Sequence, residues 1–299
     1  MNDFAHPPRT TRLGDLEVCR LGFGAMQLPG PGVWGPPKDP AAARTVLRRA
    51  VELGINLIDT AWYYGPRVSH QLIAETLHPY PKDLVLVTKL GGRRTEEKGW
   101  AMALRPEEIR KGCEEDLRLL RLERVDVVHL RWADQPEVPF REALDTMVAL
   151  QSEGKIRHIA LSNVSPAQLR DAMTRAKIVG VSNLYNVAHG ERRLGALPHV
   201  ATEGQEEMVD LCAAKGIAFL PFFLLAIPGP PRGNDALTRV ARSRGLTESQ
   251  VAIAWLLARS PTIAPIPGTS SPAHLEENWA ARTIPLTKDE FEAISVARR

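Results

Sequence analysis

Cysteine is scarce in this chain: Cys19, Cys113 and Cys212 are the only three among 299 residues. An odd, widely scattered set provides neither a disulfide framework nor the paired spacing of a zinc site, so free thiols in a reducing compartment are expected and a metal is not. Long apolar runs are missing as well. The most apolar stretch, 217–227, is too short to span a bilayer and Pro221 interrupts it. Neither sign of charge dominates: 38 basic residues face 35 acidic ones, a formal net charge of +3, and no basic arm or stripe announces nucleic acid. Residues 1–10 are polar and proline-rich, without the basic start and apolar stretch of a secretory signal. The expected location is the cytoplasm, the expected state a monomer or weak homo-oligomer, and neither nucleic acid nor membrane an expected partner. No Ser/Gly-rich linker or low-complexity tract divides the chain, so 1–299 reads as one domain. With 44% apolar and 24% charged residues it has the profile of a globular protein with a large core.

What recurs is a unit: an amphipathic helix, a glycine able to take a left-handed cap, then a short β-rich run, as at Gly54, Gly154 and Gly216. Strands are expected over 21–26, 56–59, 84–89, 125–129, 156–161, 178–182, 218–221 and 263–266. Helical stripes lie between them, as in Val46, Leu47, Ala50 and Val51, or Ile109, Cys113, Leu117 and Leu120. Ser165-Pro166 and Ser271-Pro272 look like helix starts, and Thr287 with Glu290 like a capping box. Eight strands alternating with helices argue for parallel pairing through right-handed crossovers and for closure into a (β/α)8 barrel. An open doubly wound sheet is the alternative, but Gly22-Phe23-Gly24 is only a fragment of the dinucleotide fingerprint. Ahead of the first strand, residues 10–20 with Gly14-Asp15 at their centre read as a β-hairpin that could plug the barrel floor.

In such a barrel, polar residues at the carboxyl ends of different strands converge on one mouth. Asp59, Lys89 and His129 end the second, third and fourth expected strands, and Tyr64 follows in the next loop. Together they suit carbonyl reduction, which needs hydride at carbon and a proton at the developing alkoxide. Tyr64 can supply the proton, and an ammonium at Lys89 is expected to lower its pKa. Asp59 would pair with that buried ammonium, and His129 would orient the carbonyl oxygen. Taken singly, each has a blander reading: a rim lysine, a turn aspartate, a core histidine, a packed loop tyrosine.

Jointly they resemble the aldo-keto reductase family. The stretch Gly54-Ile-Asn-Leu-Ile-Asp-Thr-Ala-Trp-Tyr-Tyr-Gly65 is similar to that family's motif with the catalytic aspartate and, five residues on, the tyrosine. Val87-Thr-Lys-Leu90 resembles its lysine strand and Val125-Asp-Val-Val-His-Leu130 its histidine strand. The resemblance implies a catalytic set of Asp59, Tyr64, Lys89 and His129, with Tyr63 the weaker candidate for the acid. It implies NADP(H) as cofactor, with Ser162 and Asn163 on the nicotinamide carboxamide and Ala25, Met26, Asp59, Ser182, Phe222, Phe223 and Leu224 also lining the cofactor. Gly268, Thr269, Ser270, His274, Glu277 and Asn278 would form the adenosine-phosphate site at a helix start. Arg20-Leu-Gly-Phe-Gly-Ala-Met-Gln-Leu28 with Gly30-Pro-Gly-Val-Trp-Gly-Pro-Pro37 is nearest to the pyridoxal reductase group, which implies a pyridoxal-like aldehyde. Three features depart from the family pattern. Ser182 stands where many relatives have glutamine, Phe222-Phe-Leu-Leu-Ala226 lacks a following Pro-Leu-Gly, and Gly268 and His274 replace the lysine and arginine that other branches use for the 2′-phosphate. Trp34, Trp62 and Trp132 are candidates for the walls of a substrate pocket, and Arg131 for contact with a substrate anion such as a phosphate. Two other functions fit the same residues: a Schiff-base aldolase through Lys89, and a cofactor-binding sensor with little turnover.

Overall fold

The computed structural model describes residues 8–133, 138–187, 203–222 and 234–298. Strands β1 (Thr10–Leu13) and β2 (Leu16–Cys19) pair antiparallel around Gly14, which holds φ at 68° where a side chain would be strained. Leu13 and Val18 are wholly buried and share an apolar cluster with Val85, Val87, Val127, Ala160 and Ala264. The hairpin therefore closes the barrel floor, as its sequence suggests.

Seven parallel strands follow in the order β3 (Phe23–Gly24), β4 (Leu57–Asp59), β5 (Val85–Leu90), β8 (Val125–Arg131), β9 (Ile156–Ser162), β10 (Ile178–Ser182) and β11 (Ala218–Phe219). A separate antiparallel hairpin, β6 (Gly92–Arg94) with β7 (Trp100–Met102), rises from the loop after β5. The eighth stave, residues 262–267, closes the cylinder. On one side the Phe219 N–H donates to the Thr262 carbonyl at 2.9 Å and the Ala264 N–H to the Phe219 carbonyl at 2.8 Å. On the other, the Gly22 and Gly24 N–H groups donate to the carbonyls of Pro265 and Pro267 at 2.9 and 3.1 Å. It is not a regular strand, as expected over 263–266, because Pro265 and Pro267 have no N–H to return to the first stave. The (β/α)8 barrel is thus present, with one half-laddered seam.

Arg20 clasps that seam from inside the protein. Only 2% exposed, it donates to the carbonyls of Ile263 at 3.0 Å, Leu257 at 2.7 Å, Ser260 at 2.5 Å and Pro8 at 3.2 Å, and burial lowers its pKa to about 10.

The helices are α1 (Pro40–Glu52), α2 (Val68–Leu77), α3 (Pro106–Leu120), α4 (Phe140–Ser152), α5 (Pro166–Met173), α6 (Gln205–Lys215), α7 (Asp235–Arg244), α8 (Glu248–Arg259), α9 (Pro272–Ala280) and α10 (Lys288–Arg298). Their starts follow the sequence signals. Ser165 forms a capping box with Gln168, Ser271 accepts from the His274 N–H, and Thr287 and Glu290 cap one another's backbone. Gly54, Gly154 and Gly216 take φ of 89°, 78° and 64° where the helices before them end. Val46, Leu47 and Ala50 of α1 and Ile109, Cys113 and Leu120 of α3 bury the expected stripes. No helix among the described residues is long and apolar enough to cross a membrane.

Candidate active site

Strand alternation decides which side chains face the mouth. Val85 and Val87 of β5 and Val127 of β8 belong to the barrel-interior cluster, so Lys89, His129 and Arg131 continue the same inward faces. Leu90 and Leu130 turn out toward the helices. Lys89 and His129 are register partners on adjacent strands, and Asp59 pairs with Val87, one inward position below Lys89. Lys89 therefore reaches back to Asp59: its Nζ donates to Asp59 Oδ1, and at 3.4 Å to the Thr60 carbonyl. Tyr64, in the turn after β4, lays its ring 5.4 Å from that ammonium. Asp59, Tyr64, Lys89 and His129 are 3%, 7%, 4% and 0% exposed, so the fold brings all four together in a nearly dry pocket. Tyr63 stacks edge-on to Tyr64 at 5.4 Å, but its hydroxyl end abuts Gly92, where an added Cβ would lie 3.0 Å from the ring.

Burial is the largest influence on Tyr64, Asp59 and His129. It raises the Tyr64 phenol well above its ordinary value, with the Asp59 charge adding to the rise and Arg131 opposing it. The lowering expected from Lys89 does not prevail, and the phenol is held protonated, the state a proton donor needs. Burial raises the Asp59 carboxyl while Lys89 pulls it down. His129 falls well below the ordinary histidine value through burial and the neighbouring Lys89 charge, so its imidazole is neutral. Neither of its ring nitrogens makes a hydrogen bond of ordinary geometry. Asp59 Oδ2 is likewise unpartnered.

The positions assigned to a nicotinamide cofactor form a second group on the same rim. Arg131 is in register with Ser162, and Ser162 with Ser182. Neither buried serine hydroxyl has a partner among the described residues, so two polar groups stand ready for a polar ligand beside the candidate catalytic side chains. That is the chemistry a carboxamide requires, and the residues fit it. Asn163, at φ 61°, donates from Nδ2 to the Trp132 carbonyl at 2.8 Å, so part of its amide already serves the loop. Gly24 and Gly268 bring the first and eighth staves into backbone contact: a Cβ on Gly268 would sit 2.6 Å from the Gly24 carbonyl oxygen. Ala25 is buried beside them, and Met26 packs on the Tyr63–Tyr64 cluster. Thr269 Oγ accepts from the Ser271 N–H at 3.0 Å at the start of α9, where Ser270 and His274 are exposed and Asn278 is buried. Glu277 differs from its assignment. Its carboxylate accepts from Thr247 Oγ at 2.6 Å, at the N-cap of α8, and is committed to the helix layer. Phe222 bridges to Leu184 and lies under Arg131, whereas Phe223 and Leu224 fall outside the described residues.

Residues 20–298 match the sequence model of the aldo/keto reductase family. The chain belongs to the aldo/keto reductases. It is 45% identical over 290 residues to pyridoxine 4-dehydrogenase of Escherichia coli, covering 95% of this chain and 96% of that protein. It is 37% identical over 282 residues to an uncharacterized oxidoreductase of Schizosaccharomyces pombe, covering 94% and 87%. Among solved structures, the Klebsiella pneumoniae aldo/keto reductase in complex with NADP and acetate superposes with a TM-score of 0.76 at 22% identity, over 97% of this chain and 95% of that one. Glycerol dehydrogenase of Gluconobacter oxydans gives 0.78 at 23%, over 97% and 94%.

In this aldo/keto reductase, one of the expected pocket tryptophans, Trp132, turns away from the mouth, and Trp62 spans from the Tyr63 ring to the helix layer. Trp132 is 3% exposed and packs edge-on against Phe140 of α4, 5.0 Å between ring centres, in the apolar layer between sheet and helices. Trp62 lies against α3, where Gly112 leaves room for its indole. Trp34 does belong to the rim. The guanidinium of Arg94 on β6 is 5.2 Å from its ring and 4.1 Å from that of Trp100. Arg94 also donates to the carbonyls of Val33 at 2.7 Å, Gly32 at 3.3 Å, Lys98 at 2.5 Å and Gly99 at 3.1 Å, joining the first mouth loop to the β6–β7 hairpin. Neither Arg94 nor Trp100 is among the sequence candidates, since nothing in the sequence tells that the loop after Lys89 folds into a hairpin. Also unforeseen is a buried polar chain behind the catalytic pair. His70 Nε2 meets Asp116 Oδ1 at 3.0 Å, and the His70 ring lies 3.3 and 3.4 Å from the hydroxyls of Thr60 and Thr88, the neighbours of Asp59 and Lys89.

Proposed function

We propose that this chain, one barrel domain over 1–299, reduces a small aldehyde or ketone of pyridoxal-like class to the alcohol using NADPH, in the cytoplasm, as a monomer or weak homo-oligomer. The observation that carries the reading is the buried Lys89–Asp59 ion pair set against the Tyr64 ring, beside a neutral His129 whose ring nitrogens are unpartnered. Bound NADPH would supply hydride to the carbonyl carbon. Ser162, Asn163 and Ser182 would hold its carboxamide, Ala25, Met26 and Phe222 would line its path, and Gly268, Thr269, Ser270, His274 and Asn278 would take the adenosine phosphate end. The protein's own residues then handle the proton. Tyr64 donates from its phenolic oxygen to the carbonyl oxygen as negative charge develops there. Lys89 stabilises the phenolate left behind, Asp59 holds the ammonium in place, and His129 donates an N–H to the same carbonyl oxygen and fixes its direction. Water is kept from the reacting groups by the burial already described.

The Schiff-base alternative needs the Lys89 nitrogen free to attack a carbonyl, whereas it already bonds Asp59 and the Thr60 carbonyl. NADPH consumption measured over pyridoxal, aromatic aldehydes and ketones tests the reductase reading. Turnover of at least one of these classes is expected. Cofactor binding without consumption would instead favour the sensor, and borohydride trapping of a carbonyl substrate on Lys89 the aldolase. The exposed His274 imidazole at the start of α9 is the proposed 2′-phosphate contact. His274→Ala is expected to weaken NADPH by about 3- to 10-fold and NADH by much less, as loss of one partly exposed charge-assisted hydrogen bond. Equal changes in the two dissociation constants would remove His274 from that role.

A further inference from the structure

We propose that Arg131 is the seat for an anionic group on the substrate, so that the preferred aldehydes carry a carboxylate, a phosphate or an ionised phenol. The inference rests on the reductase reading and narrows it. Arg131 ends β8 two residues after His129, and residues two apart on a strand share a face, so its side chain leaves the sheet on the side of the catalytic imidazole. The guanidinium stands over the Phe222 ring at 5.5 Å, and its buried Nη1 has no hydrogen-bond partner among the described residues. No carboxylate among the described residues forms an ion pair with it. The ionisable groups whose charge bears on it are Tyr63 and Tyr64, phenols held protonated by burial, which cannot neutralise it. A cation kept partly dry beside an aromatic ring, with no counter-charge among the described residues, is costly unless a ligand brings one. Guanidinium is suited to carboxylate and phosphate because two of its N–H groups can bond both oxygens at once.

Anionic chemistry could come from the substrate or from the cofactor's phosphates. The shared inward face with His129 assigns it to the substrate, and the experiment separates the two. The probes are 4-carboxybenzaldehyde and its uncharged methyl ester, assayed at saturating NADPH, with NADPH affinity measured in parallel by fluorescence. The wild-type enzyme is expected to favour the carboxylate in kcat/KM by about 10-fold or more, and Arg131→Met to collapse that ratio by about 10- to 100-fold, mostly through KM. Arg131→Lys should keep an intermediate ratio. Taking the ratio cancels any effect of the lost cation on Tyr64, which both aldehydes share. Benzoate competing with aldehyde in the wild-type enzyme at least 10-fold better than benzamide gives the same answer without a variant. An equal preference for the two aldehydes in the wild type, or a ratio unmoved in Arg131→Met while NADPH affinity falls, would overturn the proposal and give Arg131 to the cofactor. If neither aldehyde is reduced and no other carbonyl is, the reductase reading itself fails.

Discussion

Tyr64→Phe is expected to lower kcat by about 10²- to 10⁴-fold, the range attributed to a positioned general acid, while NADPH affinity stays within about twofold. The two readouts separate because the change deletes one oxygen. The ring stays in place against Lys89 and Tyr63, so the pocket keeps its shape and the Lys89–Asp59 pair its packing. What disappears is the proton that must reach the carbonyl oxygen in step with hydride. Steady-state rates with the best aldehyde of the screen, together with cofactor fluorescence titration, measure both quantities. A variant turning over at the wild-type rate would mean that another group donates the proton, and Tyr63, one residue away, would be the first to replace.

The largest expected effect on stability lies away from the mouth. Arg20→Met should destabilise the fold by about 3–5 kcal/mol, because the carbonyls of Ile263, Leu257 and Ser260 lose their guanidinium donors in a region closed to water. Methionine fills much of the volume, so the loss reports the polar contacts more than a cavity. In thermal unfolding this corresponds to a midpoint lower by roughly 5–8 °C. A change under about 1 kcal/mol would show that those carbonyls find other donors when the clasp is removed.

Much of this architecture was legible beforehand, and the misses have specific causes. The barrel staves are short Val/Ile/Leu runs behind glycine-terminated helices, a pattern with few other solutions. The eighth stave has the apolar character of a strand, but Pro265 and Pro267 keep it from pairing as a regular one. Arg131 and Trp132 cannot both face the mouth, because adjacent residues of an extended chain face opposite ways. Once β8 runs on to Arg131 rather than stopping at His129, Arg131 must turn in and Trp132 out. Trp62, in the loop after β4, spans from the Tyr63 ring to α3, a contact that its place in the sequence does not announce. The His70–Asp116 contact joins residues 46 positions apart on separate helices, and no local spacing announces it. The depression of the Tyr64 pKa expected from Lys89 gives way to the burial that the fold imposes on the phenol.

A cylinder closed through Pro265 and Pro267 has, along one line, a zip with half its teeth. Breathing motions that part neighbouring staves cost least where backbone bonds are fewest. That line runs up to Gly24 and Gly268, at the edge of the proposed nucleotide groove, while Asp59, Lys89 and His129 stand on staves bonded along their length to one another. Compliance and rigidity are therefore divided around the circumference: the barrel can yield beside the proposed nucleotide groove without loosening the staves that carry Asp59, Lys89 and His129.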